Sequence, residues 1–310
     1  MARGLNTLGF MLPYSPLHHL LLHELDRPLV MTSGNISDEP IFFEDEESMR
    51  RLAKIADDFL LHDRRIRMRT DDSVARVHDG RETVLRRSRG YAPQPIRTAF
   101  KFKQQILACG AELKNTFCLA RGHHAFLSHH IGVLENLETL QSFTQGIEHY
   151  KTLFQLEPEA IAYDLHPEYL STKYAVALDN APKIGVQHYL AHVASCMADN
   201  EIDGEVIGAA MDGLGFGLDG RFWGGEFLAA DFLRAERIAH LEYVPMPGGA
   251  KAIREPWRMA AVFLRHAFGD QFEKLNLPFV KTMDAKAWAT QSRGFIGRSL
   301  SKHVSAPKRL

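Results

Sequence analysis

The stretch KIGVQHYLAHVASC, residues Lys183–Cys196, carries the clearest fold signal in the chain. KIGVQ predicts a short β-strand, and the alanine-rich run that follows it predicts an α-helix. A strand that leads directly into a helix is typical of an α/β domain, in which helices pack on a sheet. On the predicted helix His188 and His192 are four residues apart, so their imidazoles lie one above the other on one face.

The alternation of strands and helices continues on both sides of this stretch. QILACG and TFCLARG predict two strands around a turn, and AIAYDL and VIGAA predict two more. Helices are predicted over residues 135–155 and over PEYLSTKYAVAL, with Pro167 at the first helical position of the second one. The second part of the chain is therefore predicted to be an α/β domain.

The first part of the chain has a different order of elements. SPLHHLLLHEL predicts a helix that begins after Ser15, RPLVMTSGN predicts a short buried strand, and FEDEESMRRLAKIADDFL predicts an amphipathic helix. SVARVHDGRETVLRRS predicts a hairpin that turns at Asp79 and Gly80, a pair that type I′ turns prefer. GYAPQPIRTAFKFKQ has two prolines and few apolar positions, so it predicts an extended linker and a domain boundary near Arg97.

Composition excludes several classes of protein. With 310 residues, 45% hydrophobic and 24% charged, the chain is predicted to be soluble and globular with two domains. No apolar stretch approaches the ~20 residues of a membrane helix, so we expect no membrane partner. The net charge of −1 argues against a nucleic-acid partner. The three cysteines predict free thiols and a cytoplasmic location.

The histidine pair admits two interpretations. Two imidazoles at this spacing on a helix can present two nitrogens to one metal ion. The alternative is that one or both of them are core histidines held by hydrogen bonds. Cys196, one turn further on, is either a third ligand or a small buried apolar residue.

MDGLGFGLDGRFWGGE follows the predicted strand VIGAA and places an acid before a run of glycines. Ligands of open α/β sheets bind at the carboxyl ends of strands, where Asp212 is expected. Gly213 and Gly215 would allow backbone amides to approach phosphate oxygens, and the carboxylate can hold a divalent ion. The alternative is an ordinary tight hairpin.

Two further turns carry polar groups that suit a nucleotide. In CGAELKNT, Lys114 and Asn115 lie between two predicted strands, where they could contact phosphates or simply form a hairpin. MTSGNISDEP carries hydroxyl and amide groups on Thr32, Ser33 and Asn35. These groups could bind a nucleotide or an acyl phosphate, or they could form an ordinary turn or helix cap.

Ten blocks of the sequence together resemble one known family. LPYSPLHHLLL, MTSGNISDEPI, HDRRI, DDSV and RRSRGYAPQPI resemble its YrdC-like region. ACGAELKNTFCLARG, DLHPEYLST, QHYLAHVASCMADN, DGLGFGLDGRFWGGE and PGGAKAIREPWRMA resemble the Kae1-like region that follows. These blocks cover residues 8–265 in the order of the hydrogenase-maturation carbamoyltransferases called HypF.

The resemblance implies an α/β fold in which two different domains are joined. Residues 1–97 are expected to form the C-terminal part of a YrdC-like domain. Residues 98–285 are expected to form the N-terminal lobe of a Kae1-like domain, which has the actin-like, ribonuclease H-like ATPase fold. Residues 286–310 do not resemble the family and are expected to be an atypical tail.

The resemblance also implies a reaction. The YrdC-like part of the family uses ATP and carbamoyl phosphate to make a carbamoyl-adenylate. The Kae1-like part binds the adenylate and a metal, and passes the carbamoyl group to the C-terminal cysteine of the partner protein HypE. The resulting thiocarboxamide becomes the cyanide ligand of nickel-iron hydrogenase.

The site residues follow from the same resemblance. His188 and His192 would be the ligands of a divalent metal, zinc or iron, and an aspartate in a further lobe would be the third ligand. Asp212, the expected catalytic residue, and its glycines would line a site for ATP and its Mg²⁺. Thr32, Ser33 and Asn35 match the nucleotide-binding loop of the YrdC-like region.

Two other functions stay open at this stage. The machinery of tRNA threonylcarbamoylation uses similar YrdC-like and Kae1-like parts, although DLHPEYLST and RRSRGYAPQPI favour the hydrogenase family. A non-catalytic fragment that only binds nucleotide is the other alternative. Because the opening of the YrdC-like domain and the second lobe do not occur in this sequence, we expect the chain by itself not to carbamoylate HypE.

Overall fold

The computed structural model of the chain describes residues 6–36 and 39–283. The chain divides between Asp71 and Asp72 into two compact units. Mixed helices and sheets confirm the predicted α/β class. The domain boundary at Arg97 remains a prediction, and the predicted tail, residues 286–310, lies outside the described residues.

The described residues of the first unit form two short helices. Helix α1, Pro16–Leu25, begins as predicted, because the Ser15 hydroxyl oxygen accepts the backbone N–H of His18 at 3.3 Å. Helix α2, Asp45–Leu52, has three acids in its first turn but is shorter than the sequence predicts. Neither helix contains a fully buried residue, so the packing that would extend an amphipathic helix is weak in this unit.

The strand predicted over RPLVMTSGN does not form, and that prediction is wrong. Among residues 6–36 and 39–71 the structure contains no β-strand, and Val30 is 93% exposed. An extended segment becomes a strand only when a neighbouring strand takes up its backbone hydrogen bonds. Such a partner is lacking in this described part of the chain.

The second unit begins with the predicted hairpin. Strands β1, Val74–His78, and β2, Arg81–Arg86, pair antiparallel. Asp79 and Gly80 have φ angles of 50° and 74°, which a type I′ turn requires at both central positions.

A four-stranded sheet with the order β4-β3-β5-β6 forms the centre of the second unit. Its strands are β3 (Ile96–Cys109), β4 (Phe117–Leu127), β5 (Ala160–Asp164) and β6 (Lys183–Val186). Strands β3 and β4 are antiparallel, whereas β3, β5 and β6 are parallel. The segment predicted as a linker is β-strand from Ile96 onward, because β4 provides partners such as Ala125.

Three helices accompany this part of the chain, namely α3 (Leu137–Phe154), α4 (Leu170–Ala177) and α5 (His188–Asp199). The Asn136 side chain caps α3, and the helix packs on the sheet through contacts such as Phe143 on Phe117. Helix α4 begins at Leu170, later than predicted, and Pro167 lies in the preceding turn. The reason is that the backbone N–H of His166 donates to the Asp164 carboxylate at 2.8 Å, which bends the chain around that side chain.

A second sheet has the order β11-β10-β7 and packs against α5. Its strands are β7 (Val206–Ala210), β10 (Glu226–Ala230) and β11 (Ala235–His240), and a small hairpin of β8 (Gly215–Phe216) and β9 (Phe222–Trp223) lies between β7 and β10 in the chain. Gly208 permits the close approach, since a Cβ there would lie 2.3 Å from Cγ2 of Val193.

The last described segment is helical. It contains α6 (Lys251–Arg254), α7 (Trp257–Phe268), a 3₁₀ helix (Gly269–Lys274) and α8 (Pro278–Thr282). Ala261, Val262 and Phe272 form its small buried cluster. No helix among the described residues is long and apolar enough to cross a membrane.

Candidate functional site

The candidate site begins where two parallel strands end side by side. In the β5–β6 register Asp164 pairs with Val186, and helix α5 starts two residues later at His188. This arrangement brings Oδ2 of Asp164 within 2.7 Å of Nδ1 of His188. Both side chains are largely buried, with exposed fractions of 8% and 11%.

Strand β7 adds a second carboxylate from the other side. Asp212 follows the end of β7, and the packing of α5 on β7 places its Oδ2 2.8 Å from Nε2 of His188. The same oxygen lies 3.4 Å from Nε2 of His192, and the two Nε2 atoms are 3.2 Å apart. His192 is half exposed, so the group opens to solvent on that side.

These charges shift the proton equilibria of the group. Burial lowers the pKa of His188, but its hydrogen bonds to Asp164 and Asp212 outweigh burial and raise the pKa to about 9. Hydrogen bonds from His188 and His192 hold the pKa of Asp212 far below its ordinary value. In the metal-free protein His188 is therefore protonated and Asp212 is ionised at neutral pH.

His188, His192 and Asp212 could hold a metal ion, because one ligand atom from each lies within 4.8 Å of the others. Asp164 supports this arrangement, since a carboxylate that accepts the Nδ1–H of a histidine leaves Nε2 free to bind the metal. Three protein ligands leave a coordination position for another group. The half-exposed His192 does not fit the interpretation of both residues as core histidines, whereas His188 is largely buried and hydrogen-bonded.

Asp164 is the residue that the sequence analysis missed. The resemblance implied a third metal ligand in a further lobe, whereas Asp212 completes the group in the described residues. An acid at the end of the strand AIAYDL, next in order to KIGVQ, was the available signal. It could not be used because the sequence does not show that these two strands are neighbours.

The glycines after Asp212 have two different surroundings. Gly213 is exposed, its N–H donates to Oδ1 of Asp212 at 2.7 Å, and a Cβ there would contact nothing within 4 Å. At Gly215 a Cβ would lie 2.8 Å from the His188 ring and 2.5 Å from the Tyr189 ring. Gly215 therefore permits close packing against α5, and a contact of either glycine with a nucleotide remains a prediction.

The structure places the CGAELKNT turn at the same edge of the sheet as Asp164, because β3 and β5 are parallel neighbours. Lys114 is exposed and has a left-handed φ of 50°. Asn115 is buried, and its Nδ2 donates to the carbonyl oxygens of Gly110 and Ala111 at 3.1 and 2.6 Å. Asn115 thus closes the turn, and a role of these residues in nucleotide binding remains a prediction.

The MTSGN loop lies in the first unit. Ser33 donates its hydroxyl to Oδ1 of Asn35 at 2.5 Å, and Nδ2 of Asn35 donates to the carbonyl oxygens of Ile36 and Glu39. These bonds define the loop, while the binding of a nucleotide by Thr32, Ser33 and Asn35 remains a prediction.

Cys196 lies one turn beyond His192 but is not part of the candidate metal group. It is exposed rather than buried, so its interpretation as a small core residue is wrong. The physical reason is that the buried face of α5 passes through Tyr189, Val193 and Met197, and Cys196 lies off that face.

Three protein families match the chain along its length. The family described as the HypF Kae1-like domain matches residues 101–199. The family described as "Carbamoyltransferase, Kae1-like Domain, second subdomain" matches residues 208–308, a range that includes most of the segment predicted to be atypical. The Sua5/YciO/YrdC family, described as "Telomere recombination", matches residues 1–88.

Curated relatives carry the same name across bacteria and archaea. Carbamoyltransferase HypF of Rhizobium leguminosarum bv. viciae is 44% identical over 86% of this chain and 36% of its own length. Carbamoyltransferase HypF2 of Cupriavidus necator is 44% identical over 99% of this chain and 39% of its own length. The probable carbamoyltransferase HypF of Methanocaldococcus jannaschii is 39% identical over 86% of this chain and 35% of its own length. The chain thus spans less than two fifths of each of these relatives.

Solved structures agree with the sequence relatives. A crystal structure of full-length HypF in a phosphate- and nucleotide-bound form superposes with a TM-score of 0.86 and 48% identity, over 94% of this chain and 39% of that one. HypF of T. kodakarensis superposes with a TM-score of 0.80 and 41% identity, over 86% of this chain and 35% of that one. The chain, with its YrdC-like and Kae1-like parts, belongs to the HypF carbamoyltransferase family.

Proposed function

We propose that this chain provides the metal-binding and nucleotide-binding part of an ATP-dependent carbamoyltransferase of hydrogenase maturation. The observation that supports this most directly is the group of His188, His192 and Asp212, with Asp164 behind it, in a chain of the HypF family. A relative of the same fold binds phosphate and nucleotide in its crystal structure.

In the proposed reaction, hydrolysis of carbamoyl phosphate releases phosphate and carbamate, and carbamate displaces pyrophosphate from ATP to give a carbamoyl-adenylate. The C-terminal cysteine thiolate of HypE then attacks the carbamoyl carbon, and AMP leaves. Thr32, Ser33 and Asn35 belong to the activation step, because they lie in the YrdC-like segment. Lys114 and the amides of Gly213 and Gly215 would face the phosphates of ATP or of the adenylate, which Mg²⁺ accompanies.

The metal residues have separate tasks in this proposal. His188 and His192 hold a zinc or iron ion together with Asp212, and Asp164 keeps the proton of His188 on Nδ1. When bound, a divalent metal supplies Lewis-acid polarisation of a carbonyl or phosphate oxygen. The half-exposed position of His192 leaves the group accessible to a ligand from solvent.

Metal analysis of purified protein tests the proposal, with zinc and ferrous iron offered separately. His188→Ala and His192→Ala should each abolish stoichiometric metal, because at most two protein ligands would remain. A matched control is available in His19 and His23 of α1, which have the same spacing on a helix and are both exposed. Among the described residues no third ligand joins that pair.

The double variant His19→Ala/His23→Ala should therefore retain the metal of the wild type. Equal metal contents in all the variants would contradict the assignment.

For the nucleotide, Asp212→Ala should weaken binding of ATP or carbamoyl-adenylate in calorimetry. An unchanged nucleotide affinity would remove Asp212 from the nucleotide site and leave it a metal ligand only.

A further inference from the structure

Tyr189 lies between the two histidines in sequence, but its side chain is turned into the core. It is fully buried and belongs to an apolar cluster that includes Val193, Met197, Trp223 and Leu228. The ring accounts for the packing, and a phenylalanine ring would pack in the same way. The hydroxyl group therefore needs an explanation of its own.

The single O–H of Tyr189 is shared unequally between two backbone carbonyl oxygens in different segments, with the shorter bond to Trp223. It lies 2.5 Å from the carbonyl oxygen of Trp223 in β9 and 3.4 Å from the carbonyl oxygen of Asp212. Trp223 pairs with Gly215 in the β8–β9 hairpin. The hydroxyl therefore contacts both ends of residues 212–223, the glycine-rich segment between β7 and β10. The hydroxyl thus connects helix α5, which carries both histidines, to Asp212, the third residue of the candidate metal group.

Asp212 has little other backbone support. The ladder between β7 and β10 ends with the pair Ala210–Glu226, two residues earlier. Within the described part of the chain no backbone N–H donates to the Asp212 carbonyl. Its side chain, by contrast, must hold Oδ2 near both imidazoles at once.

We propose that Tyr189 is a positioning residue, whose hydroxyl fixes the backbone of Asp212 and the β8–β9 hairpin relative to the histidines of α5. This inference rests on the proposed metal site for its effect on affinity. Its effect on the backbone of the 211–216 segment is independent of any metal.

Tyr189→Phe tests the inference, because it removes the hydroxyl and keeps the ring. Tyr150→Phe is the matched control, since Tyr150 is also buried and also bonds a backbone group, that of His129 in another part of the fold. Hydrogen exchange of the 211–216 amides is measured in metal-free protein, and zinc affinity is measured by competition with a chromogenic chelator.

We expect Tyr189→Phe to lower amide protection over 211–216 by about five- to tenfold, because the buried O–H that bridges the carbonyl oxygens of Trp223 and Asp212 is lost. Zinc affinity should fall on the order of tenfold, as is usual when a group that orients a ligand is removed. Tyr150→Phe should change neither quantity. Wild-type protection in Tyr189→Phe, or an equal loss in Tyr150→Phe, would overturn the inference.

The two proposals fail in distinguishable ways. If His188→Ala and His192→Ala retain all their zinc, the metal site is wrong, and the exchange experiment still decides the role of Tyr189. If those variants lose zinc while Tyr189→Phe keeps wild-type affinity and protection, the metal site stands and Tyr189 is only a core residue.

Discussion

Replacing Gly208 with alanine should push helix α5 away from strand β7 and loosen the metal site. The new Cβ would lie 2.3 Å from Cγ2 and 2.9 Å from Cγ1 of Val193, well inside van der Waals contact. Overpacking of this kind costs about 1–3 kcal/mol of unfolding free energy. Because α5 carries His188 and β7 leads to Asp212, zinc affinity should fall as well.

A double-mutant cycle shows whether this contact is the cause. Val193→Ala removes the two clashing methyl groups and costs about 1.5–3 kcal/mol by itself, since Val193 is only 6% exposed. In Gly208→Ala/Val193→Ala the added methyl group fills part of the space that the valine leaves. The double variant should therefore be more stable than the sum of the single effects by at least about 1 kcal/mol.

Urea unfolding of metal-free protein, followed by tryptophan fluorescence, measures these quantities, because Trp223 belongs to the same core cluster. Gly213→Ala is the control, since nothing lies within 4 Å of its would-be Cβ, and it should change stability by less than about 0.5 kcal/mol. Strict additivity in the cycle, or a Gly208→Ala variant as stable as the wild type, would refute the packing of α5 on β7 described above.

Three other perturbations have defined outcomes. Asp164→Asn should lower zinc affinity about 10–100-fold in chelator competition. The reason is that one side-chain amide oxygen cannot replace both carboxylate oxygens, which accept from His188 and from the backbone N–H of His166. An unchanged zinc affinity would exclude a supporting role for Asp164. With a pKa of about 9 in metal-free protein, His188 is protonated at pH 7. Zinc uptake should therefore release a proton, and the apparent zinc affinity should rise from pH 6 to pH 9. Calorimetry in buffers of different ionisation enthalpy measures the proton release, and its absence would contradict the prediction. In native protein at pH 8, Ellman's reagent should modify Cys196 alone, because Cys196 is exposed and burial raises the pKa of Cys109 and Cys118 to about 12. The variant Cys196→Ala should then show no fast reaction with the reagent.

Local sequence signals were sufficient for several features of the chain. The cap at Ser15, the Asp79–Gly80 turn, the helix over His188 and His192 and the strand before Asp212 all form as predicted. Each depends on interactions among residues close in sequence, so the physical cause is contained in a short segment. The family resemblance, which rests on many such segments in order, was confirmed for the same reason.

Strands depended on partners that local sequence does not reveal. RPLVMTSGN has the composition of a strand and forms none, whereas the segment predicted as a linker belongs, from Ile96 onward, to a long strand paired with β4. Backbone hydrogen bonds in a sheet are made with distant residues, so the composition of one strand does not decide whether a partner exists.

The candidate site shows the same division between sequence and tertiary structure. The sequence alone determined the spacing of His188 and His192 and the position of Asp212 after an apolar strand. Only the strand order places Asp164 behind His188, and only the close packing that Gly208 permits brings Asp212 to both imidazoles. These contacts join residues at least twenty positions apart, where chain connectivity sets no distance and the packing of the sheet and helix does.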